Sequence, residues 1–319
     1  MDSAGQGPAT ILIVGPTAVG KSALALALAE RLPLEVVNAD ALQVYRGLDI
    51  GTAKPSLEER EQVRHHLIDI LDPSEPFSAG DFRRLALPVV ADIRRRGKCP
   101  VVVGGSGFYV RALVEGLSAI PPIPESVREE VRELWRRDGL AAVGKRLLTL
   151  DPVSAERIPP EDTQRVLRAL EVVISTGRGL ADWWSDEPEE GRLEIGCKLG
   201  LTLPRALLYD RIDQRVAEMV REGWIEEVRE LLRRGCLPTS AAFQAIGYRQ
   251  VVRHIRGEWP LDRALQDTAR ETRRFAKRQV TWFRKEQDVH WLDGQFPERA
   301  LSAASGVILR GRENDQAEH

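Results

Sequence analysis

The chain has little cysteine, no long apolar run and no dominant sign of charge. Its three cysteines, Cys99, Cys197 and Cys236, lie far apart and form no C-x-x-C pair. That excludes a disulfide framework and a cysteine-based zinc site, and it fits a reducing compartment. The most apolar stretches, such as Ile11–Val14 and Val101–Val103, fall far short of the ~20 residues a membrane span needs. Met1–Thr10 carries neither a basic cluster nor a long apolar segment, so no secretory signal is read there. A cytoplasmic chain that touches no membrane is expected. With 46 basic and 48 acidic side chains the net charge is −2, so any surface for a polyanion must be local. Aromatics are scarce at 6%; seven of them are tryptophan, and most of these are expected in the core.

What is present suffices for a folded enzyme-sized chain. The 319 residues are 43% apolar and 29% charged, which excludes a disordered or collagen-like chain. At ~150 residues per domain, two domains or one core with an insertion are expected. Short apolar strands are read at Ile11–Val14, Leu34–Val37 and Pro100–Val103. Helical patterns at Ser22–Leu32 and Val89–Arg96 separate them. This alternation predicts an α/β fold, a mostly parallel sheet flanked by helices. Near residue 118 the character changes. Ala119–Pro124 is Pro-rich, Glu125 to about Gly179 is helical, and Ser185–Gly191 is acidic and turn-rich. Ile195–Leu203 again looks extended. The reading is a core of 1–118 and 200–319 with an all-helical insertion, 119–199. Leu207–Arg234 reads as one long amphipathic helix closed by Gly235, Asp262–Arg284 as another, and the tail after Gly306 as frayed.

Gly15-Pro16-Thr17-Ala18-Val19-Gly20-Lys21-Ser22 fits G-x-x-x-x-G-K-[ST], with an apolar strand before it and a helix after it. A chance match in a chain of this length is about a one-in-a-hundred event. The glycines let backbone N–H groups turn toward phosphate oxygens, and the helix N-terminus adds positive charge. Lys21 supplies a mobile cation, and the Ser22 hydroxyl can ligate Mg²⁺. The chain therefore binds a di- or triphosphate in a P-loop, without a statement of which molecule carries it. Asp40 follows the second strand, and strand carboxyl ends line the ligand crevice of such sheets. It fits a Mg²⁺ ligand, a general base or a turn cap. Gly104-Gly105-Ser106-Gly107 ends the third strand; Ser106 fits a phosphate donor, and a plain Gly-rich turn explains the string equally well.

These motifs carry a resemblance. Gly15–Ser22, followed by the string from Asp40 to Pro55 (Asp-Ala-Leu-Gln-Val-Tyr-Arg-Gly-Leu-Asp-Ile-Gly-Thr-Ala-Lys-Pro), resembles the tRNA dimethylallyltransferases. Matching segments continue in order: His65–Asp69, Phe77–Phe82, Val103–Tyr109, Gln164–Glu171, Gly247–Gln250 and Lys277–Trp282. The resemblance implies a P-loop NTPase-like core that holds dimethylallyl diphosphate, and transfer of its prenyl group to the N6 amine of the adenosine 3′ to the anticodon. It assigns Gly15, Pro16, Thr17, Ala18, Val19, Gly20, Lys21 and Ser22 to the diphosphate, with Ser22 also on Mg²⁺. It makes Asp40 the base on the adenine amine and places Ser106 and Arg215 with Lys21 in the catalytic set. Contacts to the anticodon stem-loop are implied for Asp40, Ala41, Leu42 and Gln43, for Arg128, and for Gln164, Arg165, Val166, Leu167 and Arg168. They are implied also for Gln244, Ala245, Ile246, Gly247, Tyr248 and Arg249. Ala41 stands where the family usually has serine, while Ser22 and Ser106 replace threonines and keep the hydroxyl. No C-terminal zinc-finger extension is read, which points to the bacterial form. A monomer is expected.

Arg270, Arg273, Arg274, Lys277 and Arg278 recur at helical spacing, and Glu271 is the only acid within 268–285. This stripe is expected to meet phosphates. Thr268, Thr272, Phe275, Gln279 and Trp282 form a second face suited to packing. Residues 121–180 carry ten basic and ten acidic side chains, so their charge predicts nothing. His65-His66 makes a poor chelate, since neighbours on a strand face opposite ways. Trp183-Trp184 receives no functional account, and His254, His290 and His319 are isolated. Three rival readings are a P-loop small-molecule kinase with the insertion as its lid, an isopentenyltransferase acting on free AMP or ADP, and a non-catalytic RNA-binding module.

Overall fold

A computed structural model of the chain describes residues 8–186 and 192–317. Two compact units emerge: residues 1–114 with 193–319, and residues 115–192. The first unit begins β1 (Thr10–Val14), α1 (Lys21–Ala29), β2 (Leu34–Asn38), α2 (Leu57–Gln62), β3 (His65–His66), α3 (Ala79–Arg95), β4 (Cys99–Gly104) and α4 (Gly107–Glu115). The second holds α5 (Glu125–Leu150), α6 (Pro152–Arg157), α7 (Thr163–Thr176) and α8 (Leu180–Trp183). The chain then returns to β5 (Ile195–Thr202), α9 (Arg205–Arg221), α10 (Trp224–Arg233), α11 (Tyr248–Ile255), α12 (Leu261–Phe283), β6 (Val289–Asp293) and α13 (Pro297–Ala317).

The six strands form one parallel sheet in the order β3-β2-β4-β1-β5-β6. Every residue of β1, β2 and β4 is buried, as strands covered on both faces require. The main core gathers Ile13, Leu28, Val101, Leu199, Ile212 and Ala276 from strands and helices alike. A second cluster packs Val44 and Leu48 against Trp224, Val228, Phe243 and Tyr248. Glu35, on β2, is 1% exposed yet charged. It accepts hydrogen bonds from Arg96 and Lys98 and pairs with His66 Nε2 at 2.7 Å.

Several sequence expectations shift. The insertion does not reach 199: Cys197, Lys198 and Leu199 pair with Ile11, Leu12 and Ile13 of β1, so they belong to the sheet. The long helix at 207–234 is two helices, broken where Gly223 takes φ 99°. The helix read at 89–96 starts at Ala79, where Ser78 and Asp81 cap each other reciprocally. The tail is helical through Ala317, because Leu301, Ala304 and Ile308 fall on one face and join the core. Part of the acidic 185–191 stretch, and His319, lie outside the described residues. The helical unit has its own core, including Val131, Val143, Leu147, Val166 and Leu170. Within it α5 is interrupted at Gly139, φ 80° and ψ 174°.

Candidate active site

The loop from Gly15 to Ser22 leaves β1 and enters α1 at its N-terminus. Ala18 sits in the left-handed region at φ 63°, a strained place for a side chain, and Gly20 follows at φ 104°. Lys21 Nζ donates back to the Pro16 carbonyl at 2.8 Å. Burial is the main reason its ammonium is pushed down to about 8, with Asp40 opposing the shift and Arg215 adding to it. The loop forms one wall of a cavity of about 400 Å³. Asn38 at the end of β2, with Asp40 and Gln43 after it, forms another wall, Gly104 at the end of β4 with Gly105 a third, and Arg211, Gln214, Arg215 and Glu218 of α9 a fourth.

Asp40 Oδ1 accepts the Leu42 N–H at 2.9 Å, an Asx turn that fixes the carboxylate's direction. The turn-capping role considered for it is present and uses one oxygen, while the other has no hydrogen-bond partner among the described residues. Ala41 N–H donates to Ser106 Oγ at 3.3 Å, which ties the Asp40 loop to the turn after β4. Ser106 itself is not among the residues lining the cavity, which takes Gly104 and Gly105 from that turn. Arg215 donates to the Thr52 carbonyl at 3.5 Å; burial lowers its guanidinium from the ordinary value, and Asp40 partly restores it. Gln43 Nε2 donates to the carbonyls of Thr52 and Ala53 at 3.1 and 3.2 Å.

The segment 48–54 is pinned from behind. Glu227 accepts the N–H groups of Asp49, Ile50 and Gly51 as well as the Tyr248 hydroxyl. Lys54 donates to Tyr45 O, Asp49 and Asp69. The motif-bearing string is thus a wall held at both ends, and Thr52 and Ala53 face the cavity because of it.

The residues assigned to RNA divide by exposure. Gln164, Arg165 and Gln244 are exposed, and Arg128, Leu167, Arg168 and Arg249 are half-buried. Val166 is buried among the helical unit's own side chains, and Tyr248 is wholly buried with its hydroxyl on Glu227. These two side chains support the fold and present no surface to a partner. Arg128, Arg165, Arg168 and Arg249 each face an acid, Glu125, Asp162, Glu171 and Glu271. The α12 stripe is also less bare than its sequence window suggests. Arg270 meets Asp267, Arg273 meets Asp213 of α9, and Arg274 meets Glu271. Lys277 and Arg278 are exposed and form no ion pair among the described residues.

One residue assigned to packing does more. Gln279 accepts the Thr17 N–H and donates to the Gly105 carbonyl, so it touches two cavity walls. Its spacing on α12 identifies a buried face, and no local signal marks its polar partners 262 and 174 positions earlier. Among the described residues no group of three or more His, Cys, Asp or Glu side chains gathers around a common point, and no helix is long and apolar enough to cross a membrane.

The profile of the IPP transferase family matches residues 43–286. A tRNA dimethylallyltransferase from Geobacter metallireducens is 47% identical over 304 residues, covering 93% of this chain and 96% of its own. One from Syntrophobacter fumaroxidans is 48% identical, over 89% of this chain and 83% of its own. Among solved structures, a tRNA isopentenylpyrophosphate transferase from Bacillus halodurans is 38% identical, with a TM-score of 0.70 and coverage of 97% and 99%. A eukaryotic dimethylallyltransferase described as acting on tRNA is 28% identical, with a TM-score of 0.77 over 93% of this chain and 77% of its own. The profile match over most of the chain, with relatives this similar over nearly their whole length, places the chain in the IPP transferase family, among the tRNA dimethylallyltransferases.

Proposed function

We propose that this chain transfers a dimethylallyl group from dimethylallyl diphosphate to the exocyclic N6 amine of the adenosine 3′ to the anticodon of tRNA, releasing diphosphate. The observation that carries the reading is Asp40 set across one cavity from Lys21, Ser22 and Arg215. The diphosphate sits on the N–H groups of the Gly15–Ser22 loop. As the allylic C–O bond breaks, negative charge grows on the leaving oxygen, and Lys21 and Arg215 stabilise it in a partly dehydrated pocket. The adenine amine is a weak nucleophile because its lone pair is conjugated into the ring. Asp40 accepts its proton as the C–N bond forms. The base must leave its stack to reach the cavity.

Mg²⁺ fits the donor chemistry of this wall, since Ser22 offers a hydroxyl with no hydrogen-bond partner among the described residues and the ion takes its other ligands from phosphate and water. Held by Ser22, it would neutralise charge on the diphosphate. RNA contacts fall to the exposed Gln164, Arg165, Gln244, Lys277 and Arg278, with Asp40–Gln43 at the reacting base. The reading includes a cytoplasmic monomer.

The test is a transfer assay with Mg²⁺, dimethylallyl diphosphate and either an anticodon stem-loop or AMP, read by mass spectrometry. A gain of one dimethylallyl unit on the RNA alone is expected. A gain on AMP reassigns the acceptor, and ATP consumption without prenyl transfer returns the site to a kinase.

A further inference from the structure

The P-loop is oriented by a residue near the other end of the chain. Gln279 is 6% exposed. Its Oε1 accepts the Thr17 N–H at 2.9 Å and its Nε2 donates to the Gly105 carbonyl at 2.8 Å. The fit is close, since a Cβ at Gly105 would lie 2.3 Å from Gln279 Nε2. The Thr17 N–H belongs to the same planar trans peptide unit as the Pro16 carbonyl, so the two point in opposite directions. Holding the N–H on one side turns the carbonyl to the other, where it receives Lys21 Nζ at 2.8 Å. The chain of contacts runs from the β4 turn through Gln279 and the 16–17 peptide to the ammonium that meets phosphate.

We propose, resting on the transfer reading above, that Gln279 is a positioning residue for the donor: it fixes the 16–17 peptide and through it the Lys21 side chain. A methionine there keeps the volume and removes both hydrogen bonds. The loss falls on the donor because, of the two contacts removed, the one to Thr17 holds the peptide whose carbonyl receives Lys21. Gln279→Met raises the KM for dimethylallyl diphosphate roughly tenfold and leaves that for the RNA within about twofold.

The deciding experiment is a cycle on binding of inorganic diphosphate, measured by titration calorimetry. Gln279→Met weakens binding roughly tenfold in the unaltered chain and less than about twofold in Lys21→Met, because the effect passes through Lys21. Equal weakening in both backgrounds, or none in either, overturns the proposal. Should Gln279→Met not fold, Gly105→Ala displaces the same amide by its added methyl and takes its place in the cycle with the same expected outcome. Diphosphate binding needs no prenyl transfer. An unaltered chain without transferase activity thus overturns the proposed function, while the cycle still decides Gln279.

Discussion

Replacing Lys21 with methionine sets binding against stability. The ammonium's ordinary value is 10.5 and the folded protein lowers it to about 8. At 1.36 kcal/mol per unit, holding the charge costs about 3 kcal/mol, and about 1–2 kcal/mol once the partial exposure of Lys21 is allowed for. The sign follows from linkage. Below pH 8 the residue is charged folded and unfolded, and the folded state bears the whole cost. Between about 8 and 10.5 the folded protein releases the proton that the unfolded chain keeps, and the cost fades. Above 10.5 it is gone. Lys21→Met therefore makes the ligand-free protein more stable at pH 7, and this advantage shrinks by more than half at pH 10. Urea unfolding of both proteins at the two pH values measures this. The same variant binds diphosphate roughly 10²-fold more weakly. A variant less stable at pH 7, or a gap that does not change with pH, refutes the argument.

Other consequences are as direct. Asp40→Ala leaves diphosphate binding near that of the unaltered chain and lowers turnover by roughly 10²–10⁴, read by single-turnover transfer. Glu35→Ala strands Arg96, Lys98 and His66 and destabilises the protein by about 2–4 kcal/mol in urea at pH 7. Arg96, foremost, holds the Glu35 carboxyl far below its ordinary 4.5, so its contribution is whole above that pH and is lost as pH falls further; the variant lacks this acid limb. Gly104→Ala sets a methyl 2.2 Å from the Ala39 carbonyl, against backbone that cannot yield, and costs about 1–3 kcal/mol by the same assay. Affinity for tRNA falls steeply with salt, and Lys277→Ala reduces the log–log slope by about 1, since this lysine has no acid partner among the described residues.

The parts of the fold visible in the sequence are those with local causes. Ile11–Val14 and Pro100–Val103 are continuous apolar runs, and strands buried on both faces have that composition. The loop from Gly15 to Ser22 is legible because its residue types recur at fixed spacing between a strand and a helix. What was not legible depends on distance. Val-His-Trp-Leu-Asp at 289–293 alternates poorly and is a strand only because Lys198–Thr202 lies beside it. The break at Gly223 hides in an amphipathic pattern whose period continues across it. The basic stripe looked unopposed because Asp213, the partner of Arg273, is 60 positions away. Tyr248 sits in a matched motif, but its place is set by Glu227 and Trp224 rather than by anything adjacent. Gln279 is the sharpest case, because polarity in a packing face has meaning only once Thr17 and Gly105 arrive.

The Leu193 N–H donates to the Val114 carbonyl at 3.1 Å. The chain thus leaves the core after 114 and rejoins it at 193, beside the same bond. Closing so long an excursion costs conformational entropy that grows only with the logarithm of its length. The core thus places almost no limit on what is spliced between those two residues. A chain cut within the excursion, with its original ends joined, or one carrying a shorter helical cassette, has the same sheet to build. The helical part of such a chain can be lengthened or exchanged while the sheet keeps its order of strands.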